Sequence, residues 1–134
     1  MWKFHIQTSS ISSDTVGACG GSFTSPHGHL TSPSYPDAYP NDADCIYIVS
    51  MPNGTRINIR VVDMDIEYES DHYYYDNDYY DYHQYGGVTC MYDYLEIRDG
   101  TSEQSPLIEA YCGDSTVLSL PIQMQSTGNN VWMR

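Results

Sequence analysis

The chain has 134 residues, 18 acidic and 5 basic, and a formal net charge of -13 with histidine neutral. That length suits one domain built on a single hydrophobic core. So acidic a surface repels nucleic-acid phosphates and anionic lipid headgroups and favours cationic partners, either metal ions or Lys/Arg-rich proteins.

Residues 1–18 are Ser/Thr-rich and show no periodicity, so they are expected to be a loose lead-in or linker. Met1 to Val16 holds no apolar run of signal-peptide length, and no stretch of the chain approaches a membrane span. The chain is therefore expected to be a piece of a longer protein. From Cys19 onward, turn residues punctuate short β-type runs. Ser32-Pro33-Ser34-Tyr35-Pro36 and Tyr39-Pro40-Asn41 set extended or turn geometry. Cys45-Ile46-Tyr47-Ile48-Val49 reads as a strand, rich in β-branched and aromatic residues. Pro52-Asn53-Gly54-Thr55 is a turn signal of the kind that tight hairpins use.

After that turn, Ile57, Ile59 and Val61 alternate with Asn58 and Arg60. The phase then slips by one residue, and Val62, Met64 and Ile66 alternate with Asp63, Asp65 and Glu67. Such a slip predicts a β-bulge or bend. Tyr92 to Ile97 forms a further alternating run before Asp99-Gly100, and Leu107 to Cys112 is a short strand before Gly113-Asp114. Ile122, Met124 and Val131-Trp132-Met133 supply the last strand segments. Long windows of helical period are absent, so the pattern predicts an all-β sandwich or barrel.

The four cysteines, Cys19, Cys45, Cys90 and Cys112, contain no Cys-x-x-Cys pair, which favours two disulfides over a zinc site. Three pairings are open. The sequential one closes two loops of similar size, each stabilising by about 3 kcal/mol in the chain-entropy model. Disulfides place the chain in a secreted or extracellular setting.

The order of features carries a resemblance. Cys19-Gly20-Gly21, Gly28, Ser32-Pro33-Ser34-Tyr35-Pro36, Tyr39-Pro40, Asp44-Cys45, Pro52-Asn53-Gly54 and Asp65-Ile66-Glu67 come first. Cys90 to Ile97, Asp99-Gly100, Tyr111-Cys112-Gly113 and Ser126-Thr127-Gly128-Asn129 follow. From residue 19 to residue 134 the chain resembles the CUB domain family, extracellular antiparallel β-sandwiches of jelly-roll type. The resemblance implies the pairs Cys19–Cys45 and Cys90–Cys112. It also implies further strands beyond Arg134, so the sandwich is expected to lack its C-terminal strands and to have an open edge prone to pairing with another chain.

Relative to that family, residues 68–89 read as an Asp/Tyr-rich insertion. Between Asp63 and Asp81 lie eight carboxylates and no Lys or Arg, and between Tyr68 and Tyr85 lie eight of the 14 tyrosines. The run from Tyr73 to Tyr82 has no aliphatic residue, which suits a surface loop. As functional readings it admits a weak cation- or mineral-binding loop, an adhesive aromatic surface, or sulfated tyrosines.

Similarity to CUB modules further implies a calcium site, with Glu67 and Asp93 as metal ligands and a third Asp beyond Arg134. A hard cation takes six to eight oxygens, mostly carboxylate and carbonyl. Carboxylates left over at such a site attract a basic residue, so Glu67 and Asp93 are also the expected partner-binding residues. Asn53-Gly54-Thr55 is an N-glycosylation sequon in an expected exposed turn. His27-Gly28-His29 could meet a transition metal but reads as solvated, and no catalytic motif is present.

These readings converge on a non-catalytic extracellular module that binds basic residues of protein partners in a calcium-dependent way. The alternatives are an acidic matrix or biomineral-associated protein and an accessory domain of a secreted protease. Mineral affinity would mark the first, and a protease domain in the full coding sequence the second.

Overall fold

The computed structural model describes residues 2–6, 19–70, 83–85 and 88–134. Among them are twelve strands and no helix. They are β1 (Trp2–Ile6), β2 (Gly21–Phe23), β3 (Gly28–Thr31), β4 (Tyr47–Ser50), β5 (Asn58–Met64), β6 (Glu69–Ser70), β7 (His83–Tyr85), β8 (Val88–Cys90), β9 (Leu95–Arg98), β10 (Leu107–Tyr111), β11 (Ile122–Gln125) and β12 (Asn130–Met133). One sheet has the order β11-β5-β1-β3 and a second the order β10-β9-β12-β4-β2. A small third sheet, β6-β8-β7, extends from one end. Pairing is antiparallel throughout except for β2 with β4, which run parallel.

The core lies between the two large sheets. Ile59, Val61, Met64 and Ile66 face Val49, Leu95, Ile97, Val131 and Met133, all essentially without solvent contact. Each alternating run of the sequence supplies one side of that layer, as a strand with one buried face must. The pairs Cys19–Cys45 and Cys90–Cys112 are both formed, with sequence separations of 26 and 22 residues.

The slip in the β5 pattern is a bulge. Lys3 pairs with Asp63 while Phe4 pairs with Val61, which leaves Val62 as the extra residue. Before it, Ile57, Ile59 and Val61 are buried; after it, Met64 and Ile66 are. One inserted residue therefore keeps apolar side chains inward from Ile57 to Ile66, where simple alternation carried on to residue 67 would have buried Asp63, Asp65 and Glu67.

Two local expectations come out differently. Pro52 to Thr55 does turn, with Thr55 N–H donating to the Pro52 carbonyl at 3.3 Å and Gly54 at φ 85°. It joins strands of opposite sheets, β4 and β5, so it is a corner and not a hairpin. Residues 2–6, expected as part of a loose lead-in, form a strand between β3 and β5. The signal was short: Trp2, Phe4 and Ile6 alternate with Lys3 and His5 over five residues with no turn residue to frame them. Residues 7–18 lie outside the described residues. At the insertion, both described ends are paired, Glu69 with Thr89 and His83 with Cys90, while the rest of the Asp/Tyr run, residues 71–82, lies outside the description.

Truncating a side chain at the centre of the core should show this layering. Ile59→Ala, at a site 1% exposed, is expected to cost about 3 kcal/mol, whereas Ile46→Ala, at a site 43% exposed, should cost less than about 1 kcal/mol in urea unfolding. Equal losses at the two sites would contradict the assigned burial.

Candidate functional site

Where β5 leaves its sheet, Ile66 is held by two backbone hydrogen bonds with Gly113, at 3.1 and 2.9 Å. Gly113 has a φ of 100°, and a side chain there would bring its Cβ within 2.6 Å of Val117 Cγ2, so a glycine is what this close approach takes. With Ile66 buried and anchored, Asp65 and Glu67 on either side emerge into solvent at the same end of the sandwich. On the other sheet, the Cys90–Cys112 bridge fixes the start of the segment leading to β9, and that segment presents Tyr92, Asp93 and Tyr94 to solvent.

Tyr39 joins the two. Its ring is half-buried against the core, and its hydroxyl donates to Asp93 Oδ2 at 2.7 Å. Burial pushes the Tyr39 phenol well above its ordinary value of 10.0, followed by the hydrogen bond to Asp93 and by the charges of Asp93, Glu67 and Asp65. Three carboxylates thus act on one hydroxyl from two strand ends. The sequence points to Glu67 and Asp93 but not to Tyr39; that tyrosine meets Asp93 only through the fold, 54 positions along the chain.

A cleft of about 210 Å³ opens beside this cluster, lined by Tyr39, Asp44, Ile66, Tyr92, Asp93 and Arg134 among others. Arg134 is held at its wall by Asp44, with Nε and Nη2 at 2.7 and 3.0 Å from the two carboxylate oxygens, a bidentate pair. The Tyr92 hydroxyl donates to Glu69 Oε1 at 2.9 Å, and that bond raises its pKa, with a further push from the charges of Glu69 and Glu67. Met91, Tyr92 and Tyr94 are 47%, 51% and 39% exposed, so apolar and aromatic surface borders the carboxylates. On the neighbouring loop, Asp114 accepts from the Thr116 hydroxyl and from its N–H at 2.8 Å, which holds its carboxyl below the usual range.

The donor set suits a hard cation in kind but not in number. Every group is an oxygen, yet among the described residues no three carboxylate, imidazole or thiol side chains come close enough together to hold a metal ion. A hard cation takes six to eight oxygens, far more than the carboxylates of Glu67 and Asp93 could supply. His27 and His29 are exposed on or beside β3.

Fold and site define a disulfide-bonded β-sandwich with an acidic, tyrosine-framed edge. A family model described as the CUB domain matches residues 19–134, and the chain belongs to that family. Bone morphogenetic protein 1 of Xenopus laevis is 33% identical over 116 residues, 87% of this chain and 13% of that protein. The bone morphogenetic protein 1 homolog of Strongylocentrotus purpuratus is 30% identical over 127 residues, 95% of this chain and 16% of its own length. Among solved structures, the full extracellular region of zebrafish Gpr126/Adgrg6 superposes with a TM-score of 0.54 at 26% identity, covering 87% of this chain and 12% of that one. The chain thus spans a small part of each protein it matches.

The electrostatics of Tyr39 give a pH prediction. Because its pKa is raised by folding, its contribution to stability is intact below pH 10.0 and is lost as the pH rises through the raised value. Tyr39→Phe should remove one late-ionising phenol from a spectrophotometric titration and flatten the alkaline fall in stability. A wild-type titration in which Tyr39 ionises with the exposed tyrosines would contradict the assigned hydrogen bond.

Proposed function

We propose that this chain acts as a non-catalytic extracellular interaction module, taking a basic side chain of a partner protein at the edge formed by Glu67, Asp93 and Tyr39. The observation that supports this is the Tyr39 hydroxyl donating to Asp93 Oδ2 at 2.7 Å, with the charges of Glu67 and Asp65 also acting on that phenol. Tyr39 holds one Asp93 oxygen in place, so a partner cation meets a pre-positioned carboxylate instead of a mobile one, which lowers the entropy lost on binding. The aromatic faces of Tyr92 and Tyr94 beside it suit the methylene stem or charged head of Lys or Arg. The net charge of -13 steers such partners toward the module from a distance.

An extracellular location fits the two disulfides and the extracellular region of the zebrafish protein that this chain resembles. In that setting calcium is the cation that the oxygen-only set would take, with Glu67 and Asp93 as ligands. With only two carboxylates offered, affinity should be no tighter than the weak end for extracellular modules, about 1 mM. Asn53 lies exposed at the corner between β4 and β5, accessible for an N-linked glycan.

Calorimetric titration with a lysine-rich peptide, with and without calcium chloride, tests this reading. Binding should weaken with salt and fall by about tenfold in Asp93→Asn and Glu67→Gln. Glu103→Gln makes the same charge change on the loop that follows β9 and should leave binding within about twofold of wild type. Equal losses in all three variants would reduce the interaction to net charge and sink the proposed site.

A further inference from the structure

The corner between β4 and β5 is clamped at both shoulders and loose at its tip. On one side the Met51 N–H donates to the Asn129 carbonyl at 2.8 Å, and Asn129 Nδ2 donates to the Met51 carbonyl at 2.7 Å. On the other, the Ile57 N–H donates to Ser126 Oγ at 2.8 Å and the Ser126 N–H to the Ile57 carbonyl at 2.9 Å. Residues 52–56 between the clamps are all exposed. Their turn is closed on the Pro52 carbonyl alone, by the Thr55 N–H at 3.3 Å and the Thr55 hydroxyl at 2.7 Å. Asn53 and Gly54 are its central residues. Among the described residues the Gly54 N–H has no hydrogen-bond partner, and a Cβ at Gly54 would meet nothing within 4 Å. Asn53 Oδ1 accepts from Asn129 Nδ2 at 3.3 Å, which polarises the side-chain carbonyl and leaves Asn53 Nδ2 unbonded.

We propose that Asn53–Gly54 is a deamidation site in the folded, unglycosylated chain. The Gly54 backbone nitrogen, having given its proton to solvent, attacks Asn53 Cγ. The Cγ–Nδ2 bond then breaks, and Nδ2 takes up a proton and leaves as ammonia. Water opens the resulting cyclic imide at either carbonyl, giving Asp in the ordinary chain or isoAsp, whose main chain runs through Cγ. One water replaces one ammonia, and nothing is oxidised or reduced. Glycine suits this step because no Cβ crowds the attacking nitrogen. The clamps confine the rearrangement: closing the ring turns the Asn53–Gly54 peptide and gives up the turn bonds on Pro52, while β4 and β5 keep their partners. Nδ2 is also the atom that an N-linked glycan would occupy, so conversion removes the sequon's acceptor and adds a negative charge. The corner leads into the start of β5 and the acidic edge follows its end, so this site is independent of the proposed partner contact.

Peptide mapping by mass spectrometry tests this on the disulfide-bonded chain made without glycan and held at mildly alkaline pH. The peptide containing Asn53 should gain about 1 Da, and fragmentation should find both Asp and isoAsp at that position. Because the corner opens locally, the folded chain should convert within about fivefold of the rate of the reduced chain unfolded in guanidinium. Asn58 and Asn130, held within β5 and β12, should stay unconverted in the folded chain over the same time. Gly54→Ala should slow conversion at Asn53 at least about tenfold in both folded and unfolded chains, so the comparison stands even if the variant loses stability. A folded chain converting more than about fivefold slower than the unfolded one would show that the fold protects the corner, and would overturn the proposal. Conversion of Asn58 or Asn130 at the Asn53 rate, or a Gly54→Ala chain as fast as wild type, would overturn it equally.

Discussion

One extra residue in β5 decides how this molecule presents itself. Val62 sits unmatched where Lys3 and Phe4 face Asp63 and Val61, and it moves the buried positions from odd to even numbers partway along the strand. Without it, side-chain alternation would direct Asp63, Asp65 and Glu67 into a core that offers them no cation. Burying an unpaired carboxylate costs several kcal/mol even after relaxation, so the sandwich could not close on an unbulged β5. With it, Met64 and Ile66 complete the apolar layer, and Asp65 and Glu67 reach water beside Tyr39 and Asp93. The same local event therefore closes the core and builds the acidic edge.

Much of this was legible in the sequence because it is local. The phase slip is visible in the identities of residues 57–67, the strand runs in their period of two, and the Asn53-Gly54 turn in its residue types. Other features are set by tertiary placement. Nothing in Tyr39-Pro40 says that its hydroxyl will meet Asp93, because the two approach only when loops of different sheets come together. That Pro52 to Thr55 turns a corner between sheets depends on where β4 and β5 find partners, not on the turn itself. Trp2–Ile6 is the sharpest case. A five-residue alternation is too short to stand out from a Ser/Thr-rich lead-in, and its place as a strand is set by tertiary pairing with β3 and β5.

The acidity of the chain divides accordingly. Part of it lies in residues 71–82, outside the described structure, and adds to the long-range field of the chain. Another part is already committed: Asp44 to Arg134, Glu96 to Arg98, Asp63 to the Tyr35 hydroxyl at 2.8 Å. What remains organised yet exposed is the group around Tyr39, whose hydroxyl holds Asp93 and feels the charges of Glu67 and Asp65 from the other strand end. A specific cation contact needs that combination of order and access, which bulk charge does not supply.

The most direct measurement is a carboxyl-selective NMR titration of the chain with a lysine-rich peptide. The account predicts that Glu67 and Asp93 resonances shift first and saturate together, ahead of the other carboxylates. Shifts spread evenly over the carboxylates, or concentrated away from Tyr39, would contradict it.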